Sequence, residues 1–250
     1  MNKKKLAVLV WGMFREFEHA HKTWSFLNNF EYDIFFSTWD KTYEENTQLN
    51  ININEFVEKE RILKYFPNAF INIQSENDVD LTTNTKKMSH HWRKLFVLST
   101  NTNFEYEYVL LIRPDLYIKE NGFSNLLKNF KENHILGLSE IRHSGPPEYH
   151  FVQDCLFFGK YVLMRDVFLS FNPPDCEKRF VHYHLAKHFV YNDVYVQSIP
   201  KSILDFFVMR SIHRKIINLD FETLRKVGLE WWESKHNNKQ TPFFNTLKNT

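Results

Sequence analysis

The sequence predicts an α/β fold built on a doubly wound, mostly parallel sheet, and three observations carry that expectation. Strand-type runs alternate with segments of helical period from Leu6 to Asp115, the order in which strand, crossover helix and parallel strand follow one another. One run, Val109 to Ile112, is apolar without interruption, as a strand covered on both faces must be. Polar and aromatic residues gather just after three of the runs, at Gly12, Trp39 and Arg113. The carboxyl rim of such a sheet is where open α/β folds hold ligands.

Each element follows from a local pattern. Leu6 to Val10 reads as the first strand. Lys3, Lys4 and Lys5 ahead of it give the look of a signal peptide, but the apolar run is short and Arg15 and Glu16 follow without a cleavage site. Phe17, Ala20, Trp24 and Leu27 recur at helical spacing, and Tyr32 to Thr38 is the second strand. A helix is expected over Asn54 to Phe66, stopped by Pro67, before a strand at Ala69 to Ile73. Met88, Trp92, Leu95 and Ser99 mark one face of a further helix that Asn84 is placed to cap, and Tyr108 to Ile112 is the strand after it.

Beyond Asp115 the alternation loosens. Strands are expected at His134 to Ser139, Cys155 to Phe158 and Val194 to Ile199. The cluster His143-Ser144-Gly145-Pro146-Pro147 marks a loop, and Asn172-Pro173-Pro174 breaks the chain before a helix carrying Val181, Leu185 and Phe189. Leu224, Val227 and Trp231 lie on an amphipathic segment, followed by a polar tail from His236. One domain is expected over residues 1–200, with residues 201–250 a helical extension packed on it.

Composition narrows the function classes. Hydrophobic residues are 43% and charged residues 25%, which is globular, and the 25 Phe, 11 Tyr and 6 Trp serve equally as core or as the wall of a sugar-stacking site. A net charge of +2 is too small for a broad nucleic-acid footprint, so anion recognition must be local. Cys155 and Cys176 form neither a disulfide framework nor a structural zinc pattern, which suits a reducing cytoplasm. No segment has the length of a membrane span, so a lipid-linked substrate is expected to be met from the cytoplasmic face of the inner membrane.

The candidate residues sit at strand ends. Gly12 opens the turn Trp11-Gly12-Met13-Phe14-Arg15, where a helix amino terminus and the Arg15 fork suit a diphosphate, although a plain turn has the same look. Trp39 has a ring for a base or sugar and Asp40 an acceptor for a ribose hydroxyl; taken alone, Trp39 reads first as a ring packed under a loop and Asp40 as a turn cap. In Arg113-Pro114-Asp115, Pro114 stops regular pairing, and Arg113 and Asp115 share a side if the chain stays extended. They read either as a ligand-holding pair or as a strand-end ion pair. Neither a Gly-x-Gly-x-x-Gly nor a Walker pattern is present. His90 and His91 diverge on a helix, and His184 and His188 share a face without a metalloprotease motif; these read as solvated or core-edge residues.

Taken in order, these motifs resemble the nucleotide-sugar glycosyltransferases of the GT-A fold, particularly bacterial and viral enzymes of lipopolysaccharide- or capsule-type glycan synthesis. The resemblance rests on Gly12, Arg15 and Phe17 as Gly-x-x-Arg-x-Phe, on Thr38-Trp39, on the apolar run into Arg113-x-Asp115, and on Asp154-Cys155-Leu156-Phe157-Phe158-Gly159 with Met164 beyond. It implies a GT-A-like, Rossmann-like mixed sheet flanked by helices, a nucleoside diphosphate sugar donor, and a glycan or lipid-linked acceptor. Gly12, Arg15, Trp39 and Asp40 would bind the nucleotide, and Arg210 and His213 would close over the diphosphate. The family's Asp-x-Asp pair holds Mn²⁺ or Mg²⁺; here Arg113 occupies the first position, and Asp115 alone matches a metal contact. Arg113 instead offers fixed positive charge to the leaving group. Asp154 is the candidate general base, or else a loop carboxylate capping the turn into its strand. Two rivals remain: a sugar nucleotidyltransferase, which the missing glycine-rich basic loop disfavours, and a non-catalytic carbohydrate- or partner-binding protein, which Arg113 in the first position favours.

Overall fold

Leu6, Val8 and Val10 pack into one hydrophobic layer and Ala7 and Leu9 into another, so the first strand is apolar throughout because neither of its faces meets solvent. A computed structural model of the chain describes residues 5–46, 51–81, 83–128, 130–140, 151–173, 181–200 and 202–208. In chain order its elements begin with β1 (Lys5–Trp11), α1 (Phe17–Ala20), β2 (Glu31–Trp39), β3 (Lys41–Asn46), β4 (Ile51–Phe56), α2 (Lys59–Leu63), β5 (Phe70–Gln74) and α3 (Asn84–Thr100). They continue with β6 (Tyr108–Ile112), β7 (Leu116–Glu120), α4 (Phe123–Lys128), β8 (His134–Glu140) and β9 (Phe151–Lys160). The last are α5 (Tyr161–Ser170), α6 (Val181–Tyr191), β10 (Tyr195–Ser198) and β11 (Leu204–Val208).

Seven strands form a mixed, mostly parallel central sheet in the order β5-β2-β1-β6-β9-β8-β10. Only β9 runs against its neighbours, antiparallel to both β6 and β8. On one face α3, α5 and α6 supply Trp92, Leu95, Phe96, Phe168, Leu185 and Phe189 to a ring-rich layer. The turns after β1, the α2 region, and β7 with β11 cover the other. The architecture is therefore the three-layer α/β sheet that the alternation of strands and helices predicts.

The differences from expectation are local and have physical causes. Asn54 to Phe66 is not one helix: β4 pairs with β3 as an antiparallel hairpin, and α2 is one short piece after it. The strict alternation Ile51-Asn52-Ile53-Asn54 is the period-two signal that the helical reading overlooked. The helix expected over Phe17 to Leu27 is a single turn, α1, followed by 3₁₀ turns at His21–Thr23 and Ser25–Asn29. Tertiary bonds draw the chain out of helical geometry there. Trp24 Nε1 donates to the Leu116 carbonyl at 2.7 Å, and Thr23 Oγ1 accepts from the Ile118 amide at 2.9 Å. The cap of α3 is Thr83, not Asn84; its hydroxyl accepts from the Lys86 amide at 3.2 Å.

The segment expected to begin a helical extension instead supplies β11, which pairs antiparallel with β7 from Leu204 opposite Glu120 to Val208 opposite Leu116. Arg210, His213, Cys176, the loop at 143–147 and the C-terminal segment with Leu224, Val227 and Trp231 lie outside the described residues.

Candidate functional site

From β1 the chain crosses outward to β2 and β5, whereas β6 lies on the other side of β1. The crevice outside the carboxyl ends of β1 and β6 is therefore the topological switch point, where loops splay apart and leave room for a ligand. A cavity of about 610 Å³ occupies it, walled by Trp11, Gly12 and Arg15 after β1, Trp39 at the end of β2, and Arg113 and Asp115 after β6. Asp154 joins them because β9 is antiparallel: its amino-terminal part reaches the rim where the parallel strands end. The Arg113 amide extends the ladder by donating to the Cys155 carbonyl at 3.1 Å, which fixes Asp154 beside Arg113.

Gly12 turns the chain out of the sheet at φ 106°, a torsion that side chains disfavour, and its amide donates to the Ser37 carbonyl at 3.2 Å. A short turn follows, in which the Arg15 amide donates to the Met13 carbonyl at 2.8 Å. The helix dipole expected behind it is absent in effect, since α1 is one turn long and its cap is the acidic Glu16 at φ 55°. The positive charge at this rim belongs to side chains.

Those side chains converge on one carboxylate. Arg113 donates from Nε to Asp115 Oδ1 at 2.9 Å and from Nη2 to Oδ2 at 2.7 Å, and Arg15 donates from Nε to the same Oδ2 at 2.8 Å. Asp115 is 1% exposed, whereas Arg15 and Arg113 keep 13% and 19% of their side-chain surface at the cavity wall. Burial alone would raise the Asp115 carboxyl, but the two guanidiniums outweigh it and hold the group down at about 2. Burial opposes the charge on Arg113 as well, and Asp115 more than restores it. Asp154 Oδ1 lies 4.0 Å from Arg113 Nη1 and accepts from the Cys155 thiol at 3.6 Å. The Arg113 guanidinium also lies 6.0 Å from the Trp11 ring centre.

The opposite wall is neutral. Trp39 packs edge-on against His91 at 4.3 Å and parallel to His90 at 6.0 Å, and it is 4% exposed. Asp40 stands outside the cavity lining; its amide donates to the Gln74 carbonyl and its carbonyl accepts from the Val57 amide, which makes it part of the bend into β3. Thr85, Met88 and His91 bring one face of α3 to the wall, and Lys87 joins them, ion-paired with Glu76.

His91 is the lining residue that sequence reasoning set aside. Asn72 donates to the Ser37 hydroxyl at 3.2 Å, and that hydroxyl lies 2.8 Å from His91 Nδ1. The direction of the Ser37–His91 bond follows the tautomer of the ring, and with the proton on Nε2 the Ser37 hydroxyl donates to Nδ1. His91 Nε2 and Trp11 Nε1 are buried polar nitrogens without a hydrogen-bond partner among the described residues. The available signal was position: Thr85, Met88 and His91 lie on one helical face, and Trp11 ends the first strand.

Burial, helped by the neighbouring His90, lowers His91 from 6.5 to about 3. An unfolded chain takes up this proton near pH 6.5 while the folded chain refuses it until about 3, so stability present above pH 6.5 is lost as pH falls through that window. Asp115 adds acid sensitivity lower down, its contribution being present above about 3.8 and lost as pH falls toward 2. His91→Gln keeps an acceptor for Ser37 and cannot protonate in this range. Its urea midpoint is expected to fall less steeply than the parent's between pH 6.5 and 4, with the remaining slope due partly to His21 and His90, whose folded states also favour the neutral form. Parallel slopes would remove His91 as a source of acid lability.

The donor set does not fit a divalent cation. Both oxygens of Asp115 are taken by guanidinium donors, and the described residues contain no group of three His, Cys, Asp or Glu side chains able to hold a metal. Hard cations require several oxygen ligands turned toward them. Asp115, expected as a metal contact, serves here as the anchor of two arginines.

The chain matches no protein-family model and no curated protein. Among solved structures it is similar to the 4-diphosphocytidyl-2C-methyl-D-erythritol synthase of Anaerococcus prevotii, with a TM-score of 0.47 and 12% identity, covering 86% of this chain and 93% of that one. No described helix is long and apolar enough to cross a membrane.

Proposed function

We propose that this cavity binds a nucleotide through its diphosphate and that the protein is a nucleotide-sugar transferase, moving a sugar from a nucleoside diphosphate sugar to a glycan or lipid-linked acceptor. The observation that carries this reading is the pair of guanidiniums gathered on Asp115 at the switch point of the sheet. Asp115 engages Nε of Arg15 and Nε and Nη2 of Arg113. The terminal nitrogens of Arg15, and Nη1 of Arg113 with Asp154 at 4.0 Å, are the groups proposed to meet phosphate oxygens. As the bond from the anomeric carbon to the diphosphate oxygen breaks, its electron pair moves to that oxygen, where fixed cationic donors stabilise the growing charge. Asp154 takes the proton of the acceptor hydroxyl as its oxygen attacks the anomeric carbon. Trp11, Trp39 and the α3 face form the neutral wall on which the base lies, and Arg210 and His213 are proposed to close over the diphosphate. A lipid-linked acceptor would be met at the cytoplasmic face of the inner membrane.

Nucleotidyl transfer is the second reading. It too expels a diphosphate, which the same two arginines would hold, and by name the similar synthase corresponds to it better than to glycosyl transfer. A likeness of that degree does not choose between them. Arg15 has the same task in both, so Arg15→Ala is expected to weaken nucleoside diphosphate binding by about tenfold or more, the range of one charged hydrogen bond. The measurement is calorimetric titration with UDP, GDP, CDP and ADP. Unchanged affinity in a folded variant takes Arg15 out of the site. Product analysis then separates the reactions, since glycosyl transfer releases a nucleoside diphosphate and nucleotidyl transfer releases inorganic diphosphate.

A further inference from the structure

We infer that the diphosphate site operates without a divalent cation, its positive charge being supplied by Arg15 and Arg113, with Asp115 acting as the positioning residue that holds both. This rests on the diphosphate-binding reading above and deepens it.

Three observations carry the inference independently of any family pattern. The first is occupancy of the carboxylate: three N–H donors at 2.7 to 2.9 Å converge on its two oxygens, and 1% of the side chain is exposed. A magnesium or manganese ion needs oxygen lone pairs directed at it from about 2 Å, with room for further oxygen ligands. At Asp115 three of the roughly four lone-pair directions are already used by guanidinium protons, and the carboxylate is buried.

The second is the sign of the local charge. Arg15 and Arg113 bring two positive charges and Asp115 one negative, so the cluster keeps one net positive charge at the cavity wall. Asp154, 4.0 Å from Arg113, brings a second negative charge to the edge of the cluster, so the four groups sum to zero while the guanidinium donors stay at the wall. A metal cation would meet guanidinium N–H donors at this wall, whereas a diphosphate meets them with acceptor oxygens. On the far wall Lys87 is paired with Glu76, so that wall adds no net charge.

The third is the origin of the arginines. Arg15 comes from the turn after β1 and Arg113 from the end of β6, so they are 98 positions apart in sequence and meet only because their strands are neighbours. Two guanidiniums brought together this way repel unless an anion lies between them. The buried Asp115 supplies it, and its planar carboxylate fixes the Arg113 fork by two parallel bonds. Its contribution to binding is indirect, through the orientation of the two groups that touch the ligand.

The test is calorimetric titration of the full chain with UDP, GDP, CDP and ADP, each in excess EDTA and again with Mg²⁺ or Mn²⁺. The expected result is that at least one nucleoside diphosphate binds in EDTA and that added cation changes its affinity by no more than about twofold. A diphosphate that binds only with the cation, or about tenfold or more tightly with it, overturns this inference while the diphosphate site stands. Failure of all four under both conditions overturns the diphosphate reading and this inference together. Arg113→Lys supplies a second measurement, because it keeps the charge and loses the fork. Affinity in EDTA is expected to fall by about tenfold and not to recover with Mg²⁺ or Mn²⁺; parent-like binding in EDTA, or recovery with the cation, overturns the role given to the arginine fork.

Discussion

Asp115→Asn is expected to destabilise the fold by about 3–5 kcal/mol, the loss seen when one partner of a buried ion pair is removed. The substitution is nearly isosteric, so packing contributes little and charge decides. Asn offers one carbonyl oxygen where three guanidinium bonds converged, and its amide turns N–H donors toward other donors. Arg15 and Arg113 then face each other without an anion between them at a wall that is largely shielded from water. Urea unfolding at neutral pH measures the loss. A double-mutant cycle with Arg15→Gln separates charge from shape, because removing one guanidinium as well should return part of the stability. A loss below about 1 kcal/mol would mean that solvent screens the cluster as it does a surface pair.

Asp154→Asn is expected to lower turnover by about 10² to 10⁴ with the donor still bound. A general base acts on a proton that moves only in the transition state, so its removal lowers kcat and spares ground-state affinity. The structure adds a direction for binding. Asp154 lies 4.0 Å from Arg113 Nη1, so neutralising it frees that guanidinium, and nucleoside diphosphate affinity should hold or rise slightly. Product formation and calorimetry on parent and variant, matched for stability, check both effects. Equal rates exclude Asp154 as the base, and a parent that binds the diphosphate but transfers nothing across a broad acceptor panel favours the non-catalytic binding protein.

The sheet was legible because its central strands are apolar on both faces, and strand ends could be read from Gly12, Trp39 and Pro114 without any knowledge of topology. The β3–β4 hairpin was not, although its alternation of Ile and Asn carried the signal; charged residues and Pro67 downstream gave the same stretch a helical look. Thr23 and Trp24 could not be read locally at all, since their bonds run to β7 across more than ninety residues. At the cavity, the tripeptide Arg113-Pro114-Asp115 allowed two readings, ligand-holding pair or strand-end ion pair, and the structure contains the ion pair in the cavity wall. What the sequence lacks is the third member, because the proximity of Arg15 to Asp115 exists only when β1 and β6 are paired. His91 was hidden for a related reason: its meaning depends on Ser37 and Asn72, which reach it from two other strands.

The register of β7 with β11 bears on how this protein should be handled at the bench. Val208 sits opposite Leu116, one residue after the carboxylate that gathers both arginines. Val208 thus ends β11 next to the carboxylate cluster, and a group fused directly behind it would have a high effective concentration at the proposed diphosphate site. Val208 is also two positions ahead of Arg210 and five ahead of His213. A truncation placed directly after Val208 is an edit made next to the Arg15–Asp115–Arg113 cluster, however remote the carboxyl terminus looks along the sequence. An affinity tag fused that close is expected to crowd the cavity proposed to bind a nucleotide, so an amino-terminal tag is the safer choice for binding measurements.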